Sequence, residues 1–306
     1  MSDRNPPQER RVRRLLQWAT AQLRTCLAEA PAGSAETPYL DSLLLLAFAS
    51  GETTERLMAS MPDELPTDSV ERFFELVEQR CTGMPISYIR GTKEFYGRDF
   101  AVSPAVLVPR PDTEILVETA LEIIDTSTGD RPHVHDTCTG SGCVAITIAA
   151  ERRSVTVTAS DISPDALAIA RRNSSALLST PLEGLWKSDL LQDIEPNCSD
   201  LGLPRPGIIT ANPPYLTDTE YRVIQDSGWP EPEQALRAGA DGLDLIRRLA
   251  GQAVTVLPSG GYLVLEIGAS QGLLAAAVLE KCGFSEIDAR RDLAGRDRVM
   301  VARKRN

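Results

Sequence analysis

From about residue 132 to residue 302 the chain alternates short apolar runs, rich in β-branched residues, with segments of helical periodicity, and few folds accept that rhythm. The strand-like runs are "PHVHD" (132–136), "VTVTAS" (155–160), "GIITA" (207–211) and "YLVLEIG" (262–268). Weaker ones are "GLWKS" (184–188), "SEIDAR" (285–290) and "RVMVA" (298–302). Helical segments at 143–152, 164–177, 242–256 and 269–282 separate most of them. Repeated β-α units bring successive strands parallel, because a right-handed crossover packs each helix back onto the sheet. The expectation is a doubly wound α/β sheet of seven strands, with the last two runs, which no helix separates, forming an antiparallel hairpin.

Upstream the pattern changes. Arg14, Leu15, Trp18, Leu23 and Leu27 lie on turns of one helix, 40–48 forms a second and 70–80 a third, punctuated by Pro31, Gly33, Gly51, Pro62 and Pro66. Residues 1–90 therefore read as a small helical bundle. Residues 91–110, "GTKEFYGRDFAVSPAVLVPR", alternate like a hairpin linker, and 111–306 hold the α/β domain, opening with a helix over 112–124.

Composition excludes several classes. The longest apolar run, "LLLLAFA" (43–49), is too short to cross a bilayer, and the polar, charged start is no secretory signal. Arg10, Arg11, Arg13 and Arg14, with Glu9, Glu29 and Glu36 nearby, read as a solvated helix face. A net charge of −11 suits no stable grip on nucleic acid, whose affinity comes largely from neutralised phosphates. Six scattered cysteines without C-x-x-C fit neither a zinc knuckle nor a disulfide scaffold, so a cytoplasmic, reducing setting is expected. His133 and His135 share one strand face with no third ligand, so no metal is expected.

The chemistry lies at the strand ends. "HDTCTGSGCVAI" (135–146) is a strand, a glycine turn and a helix start, and Gly140-x-Gly142-x-x-Ala145 fits the G-x-G-x-x-G/A pattern. Gly140 and Gly142 let a ligand approach the backbone. Asp161, 21 positions beyond Gly140, ends the next strand and is placed for ribose hydroxyls. Ser163 before Pro164 already supplies the helix cap that Asp161 could otherwise be. Loop and acid together imply an adenosine-containing cofactor. "NPPY" (212–215) ends the fourth strand, across the topological switch point. Asn212 and two prolines have no hydride chemistry to do. They suit methyl transfer to a planar –NH2, which the Asn212 oxygen and a proline-freed carbonyl can hold with its lone pair toward the donor, while Tyr215 offers a flat face.

These segments, with "FYGRDFAVSPAVLVPRPDTEILVE" (95–118) and "DISPDALAIARRN" (161–173), resemble the HemK/PrmC family of protein-(glutamine) methyltransferases. The resemblance spans roughly residues 38–303. It implies a class I, Rossmann-like, seven-stranded methyltransferase domain behind a helical bundle and a β-hairpin linker. It implies S-adenosyl-L-methionine as cofactor, held by Cys138, Thr139, Gly140, Ser141 and Gly142, with Asp161 on the ribose, Asp189 and Leu190 beside the adenine, and Asn212 at the methyl. The substrate would be the glutamine of the Gly-Gly-Gln motif in bacterial-type release factors. Asn212 and the Pro213 carbonyl would bind its amide, Pro214 and Tyr215 would line the slot, and Phe100 would close over it. A monomer is the default, with the N-terminal bundle helping to hold the release factor. The family's usual glycine is Cys138 here, tolerable where φ stays negative. Alternatives are a glutamine methyltransferase of a ribosomal protein, which "RPDTE" (110–114) matches less well, and an adenine amino-methyltransferase, which should carry a basic surface.

Overall fold

The structure is a computed structural model that describes residues 6–28, 37–59, 61, 63–127 and 132–306. Glu29, Pro31, Gly33, Glu36 and Pro62 lie outside the described residues. The chain separates into two compact units, Met1–Gly91 with Arg222–Pro230, and Thr92–Tyr221 with Glu231–Asn306.

The first unit contains α1 (Val12–Cys26), α2 (Pro38–Ser50), α3 (Thr54–Ala59), α4 (Thr67–Cys81) and α5 (Ile86–Arg90). On α1, Val12, Leu15, Leu16, Ala19 and Leu23 recur at helical spacing and are buried, while Arg13 and Arg14 face water. Leu45, Leu46, Phe73 and Val77 complete the core, and Trp18 packs edge-on against Phe74 with ring centroids 4.9 Å apart. Asp41 and Arg80 form a buried ion pair at 2.9 Å. Cys26 and Cys81 form a disulfide, although their spacing suggested no disulfide framework. The reason is tertiary. These residues end α1 and α4, and helix packing brings their Cα atoms to 5.4 Å across 55 positions of sequence.

The second unit opens with a hairpin, β1 (Thr92–Phe95) and β2 (Arg98–Ala101). Its two-residue turn, Tyr96 and Gly97, has φ of 52° and 72°, matching the right-handed twist of the strands. A 3₁₀ turn (Pro111–Thr113) leads into α6 (Glu114–Thr126). There follow β3 (His133–Thr137), α7 (Cys143–Glu151), β4 (Thr156–Asp161), α8 (Pro164–Leu177), β5 (Gly184–Lys187) and α9 (Ile194–Asp200). Next come β6 (Ile208–Ala211), α10 (Asp218–Asp226, of which Arg222 onward belongs to the first unit), α11 (Asp244–Val256), β7 (Tyr262–Glu266), α12 (Gly272–Cys282), β8 (Phe284–Arg291) and β9 (Asp297–Lys304). The helix expected from residue 242 begins two residues later, because Gly242 has φ 73°, outside the right-handed helical range.

The seven strands lie in the order β5-β4-β3-β6-β7-β9-β8. They run parallel from β5 to β7, and β9 is antiparallel to both its neighbours. Ile209, Leu263 and Leu265 join one core cluster, and Ile208, Val264 and Val134 another, as alternate residues of buried strands must. The chain winds outward from β3 to β5 and then returns to β6 on the other side of β3, so the switch point lies between β3 and β6. Thr137 pairs with Ala211 there, so the next residues, Cys138 and Asn212, start two neighbouring loops.

His133 and His135 do share a face, and both bond Thr158 Oγ1, at 2.8 and 2.9 Å. Burial pushes His135 down to about 3, so it is neutral. Among the described residues no group of three or more His, Cys, Asp or Glu is placed to hold a metal ion, and no helix is long and apolar enough to cross a membrane.

Candidate active site

The glycine turn is held by main-chain and carboxylate bonds. Gly140 and Gly142 have φ of 54° and 81°. At Gly142 the positive φ is what favours glycine, with a Cβ there also 3.3 Å from Ala170 Cβ and 2.8 Å from the movable Ile146 Cδ1, whereas Gly140 faces open space. Cys138 has φ 57°, a left-handed conformation, which corrects the expectation of a negative φ. The turn demands the geometry that glycine adopts freely, and cysteine adopts it at a cost of roughly 1–2 kcal/mol. Burial, with Asp161 and Asp136 nearby, raises the pKa of the Cys138 thiol and keeps it protonated.

Three carboxylates stand at or next to the C-terminal ends of parallel strands, and two of them, Asp136 and Asp161, line the same cavity as this turn. Asp161 Oδ2 accepts from the Gly140 N–H at 2.8 Å and Oδ1 from the Ser163 N–H at 2.9 Å, so it braces the loop. Ser163 Oγ caps α8 by accepting from the Ala166 N–H, which leaves that task to serine, as expected. Burial raises the pKa of Asp161. Asp136 accepts from the Thr139 hydroxyl at 2.6 Å and the Thr210 hydroxyl at 2.7 Å. Burial nevertheless pushes it up to about 7. Glu266, at the end of β7, is likewise pushed up to about 7, chiefly by burial, against the Thr113 bond and Arg298.

Leu190, φ 57°, turns its carbonyl back to accept from Thr137 Oγ1 at 3.2 Å. The neighbouring Asp189 carboxylate pairs with Arg248 at 2.5 Å. On the opposite side Asn212 Nδ2 donates to Thr113 Oγ1 at 3.2 Å, and Thr113 Oγ1 donates to Glu266 Oε2 at 2.6 Å. The Tyr215 hydroxyl lies 3.5 Å from Glu266 Oε1, and burial beside that carboxylate raises its pKa. Pro213 and Pro214 are buried.

A cavity of about 300 Å³ opens among these groups. Its wall includes Cys138, Thr139, Gly140, Ser141, Asp161, Asp189, Leu190, Asn212 and Pro214, so nine of the expected site residues converge. Gly142, Pro213 and Tyr215 are not among the residues that line it. Phe100 is not brought to the cavity. It is fully buried, edge-on to Phe95 with centroids 6.0 Å apart, in the core cluster that also holds Leu116, Val117 and Val144. Sequence reasoning missed Thr113, Asp136 and Glu266. The signal for Glu266 was present, since it closes the apolar run Leu263–Leu265, where a charge has no structural use, whereas Asp136 follows a run of mixed polarity. The acidic floor and the glycine turn fit a cationic, adenosine-bearing ligand.

A PrmC N-terminal domain model matches residues 14–91, and a methyltransferase small domain model matches residues 112–227. The release factor glutamine methyltransferase of Neisseria gonorrhoeae is 38% identical over 274 residues, 89% of this chain and 95% of that one. That of Koribacter versatilis is 39% identical over 284 residues, 92% and 96%. Among solved structures, the hMettl16 catalytic domain aligns at a TM-score of 0.50 with 13% identity, over 68% of this chain and 76% of that one, a likeness of fold alone.

Proposed function

We propose a function from one premise, that the chain belongs to the family of release factor glutamine methyltransferases. The chain methylates the side-chain amide nitrogen of the glutamine in the Gly-Gly-Gln motif of class 1, bacterial-type release factors, with S-adenosyl-L-methionine as donor. The observation that carries this reading is the adjacency of Asn212 to the glycine turn across the β3–β6 switch point.

The donor supplies an electrophilic methyl carbon on a sulfonium. The chain's own residues do the rest. Cys138 to Gly142 present backbone and open space, Asp161 takes the ribose hydroxyls, and Asp189 with Leu190 borders the adenine. The acidic floor of Asp136 and Asp161 complements the positive charge. An amide nitrogen is a weak nucleophile because its lone pair is delocalised into the carbonyl. Asn212 Oδ1 accepts one N–H of the substrate amide and the Pro213 carbonyl the other. That fixes the nitrogen with its lone pair toward the methyl, and orientation in a water-poor cavity supplies most of the rate. As the N–C bond forms, the methyl's bond to sulfur would break and the donor would leave as a neutral thioether; the alkylated amide nitrogen is then strongly acidic and passes its proton through the acceptors that already hold it to water, so no strong base is required. Residues 1–90 contribute to holding the release factor, the hairpin at 91–110 joins the two parts, and the chain acts as a monomer in the compartment where translation ends.

The test is a methylation assay on purified release factor, ribosomal protein and DNA in parallel, with mass spectrometry to place the methyl group. We expect label on the Gly-Gly-Gln glutamine alone, and label on adenine or on a ribosomal protein would overturn the assignment. In the same assay Asn212→Ala should lose at least about 100-fold in turnover while still binding the cofactor. Near-normal turnover would remove the amide from the mechanism.

A further inference from the structure

Behind Asn212 lies a chain of hydrogen bonds that runs in one direction only. Glu266 is 1% exposed and Thr113 2%, so neither is turned by solvent. Above about pH 7 Glu266 is ionised, and an ionised carboxylate can only accept, while a threonine hydroxyl has one proton to give. With Thr113 Oγ1 2.6 Å from Glu266 Oε2, that proton is committed to the carboxylate. The Thr113 oxygen is then left as an acceptor. Asn212, 3.2 Å away, can satisfy it only with the –NH2 end of its carboxamide. The amide oxygen is thereby turned to the other side. A carboxamide is nearly symmetric in shape, so packing alone would not choose between its two orientations. The Tyr215 hydroxyl lies 3.5 Å from Glu266 Oε1, and the positive charge of Arg298 favours the ionised carboxylate.

We infer that Glu266 and Thr113 are positioning residues which set the polarity of the Asn212 carboxamide, so that an oxygen and not an –NH2 meets the substrate amide. This rests on the role of Asn212 proposed above. With the carboxamide reversed, two –NH2 groups would face each other, and the reacting nitrogen would lose the acceptor that orients it. The relay explains why a carboxylate closes an otherwise apolar strand, and why a threonine stands in the turn before α6.

The test is steady-state kinetics of release-factor methylation, run above about pH 7 where Glu266 is ionised, on Thr113→Val, Thr113→Ser, Asn212→Ala and the double variant Thr113→Val/Asn212→Ala. Calorimetric cofactor affinity and a thermal melt serve as folding controls. Thr113→Val keeps volume and removes the hydroxyl. Its kcat should fall on the order of 10- to 100-fold, with KM and cofactor affinity within about twofold of the starting protein. Thr113→Ser restores the hydroxyl and should recover kcat to within about threefold. In the Asn212→Ala background the valine change should alter kcat by less than about twofold, because there is no carboxamide left to orient. A merely structural threonine would instead lower the melting temperature in both backgrounds and multiply the two losses. If Thr113→Val does not fold, Glu266→Gln keeps the shape, lets the Thr113 hydroxyl reverse, and should show the same dependence on Asn212. Loss of activity in Asn212→Ala combined with full activity in Thr113→Val overturns the relay alone. Full activity in Asn212→Ala overturns both the relay and the reading beneath it.

Discussion

Single residues at this site are chosen by backbone angle as much as by side-chain chemistry. Cys138, Gly140, Gly142 and Leu190 all have positive φ, and all lie in the loops that follow β3 and β5. Two of the four are not glycine, so the cavity wall stores strain that the surrounding bonds hold in place. Cys138 provides the clean comparison. Replacing it with alanine or with glycine removes the same thiol, but only glycine relaxes in the left-handed region. Cys138→Gly should be more stable than Cys138→Ala by about 1 kcal/mol, after the greater unfolded-state entropy of glycine is counted. Denaturant melts of the two variants decide it, and a more stable alanine variant contradicts the strained turn.

At the scale of elements, the parallel strands deliver carboxylates to one edge of the sheet: Asp136 from β3, Asp161 from β4 and Glu266 from β7. The fold shifts all three upward by burial. For Glu266 the sign follows from linkage. Its ordinary value is 4.5 and its value in the fold about 7, so the folded state holds the proton more tightly. The stability this contributes is full below about pH 4.5 and is lost as pH rises through about 7. The groups facing Glu266 are Thr113, Tyr215, Arg298 and Asp112, and the opposite charges of Arg298 and Asp112 act against each other. Glu266→Gln has no such proton to lose. Between pH 4.5 and 7.5 its stability should therefore gain on that of the starting protein by roughly 2–4 kcal/mol. Chemical denaturation at both pH values measures the gap, and a constant gap would rule out the buried, protonated carboxylate.

For the whole molecule, the helical unit and the α/β unit are held together internally by different means. The α/β unit relies on its two core clusters, whereas the helical unit adds the Cys26–Cys81 bond and the Asp41–Arg80 pair to a smaller core. Closing a loop of this length stabilises a fold by roughly 2–4 kcal/mol, mostly by restricting the unfolded chain. Reduction of the disulfide should therefore lower the melting temperature of the helical unit and leave that of the α/β unit in place. Calorimetric scans with and without reductant would show this, and identical scans would mean that the bond contributes nothing. The sequence by itself determined the kind and order of the strands and the longer helices, and the strand ends that carry chemistry; α3, α5, α9 and α10 are too short to show a clear period. Hydrophobic period, glycine, proline and strand-end polar residues are local signals, readable within a window of about ten residues. Only the tertiary structure decided the Cys26–Cys81 pairing, the burial of Phe100, the left-handed Cys138, and the meeting of Thr113, Asn212 and Glu266. Those depend on which strand lies beside which and how helices cross, and residues 99 and 153 positions apart in the chain carry no trace of that neighbourhood until the sheet is assembled.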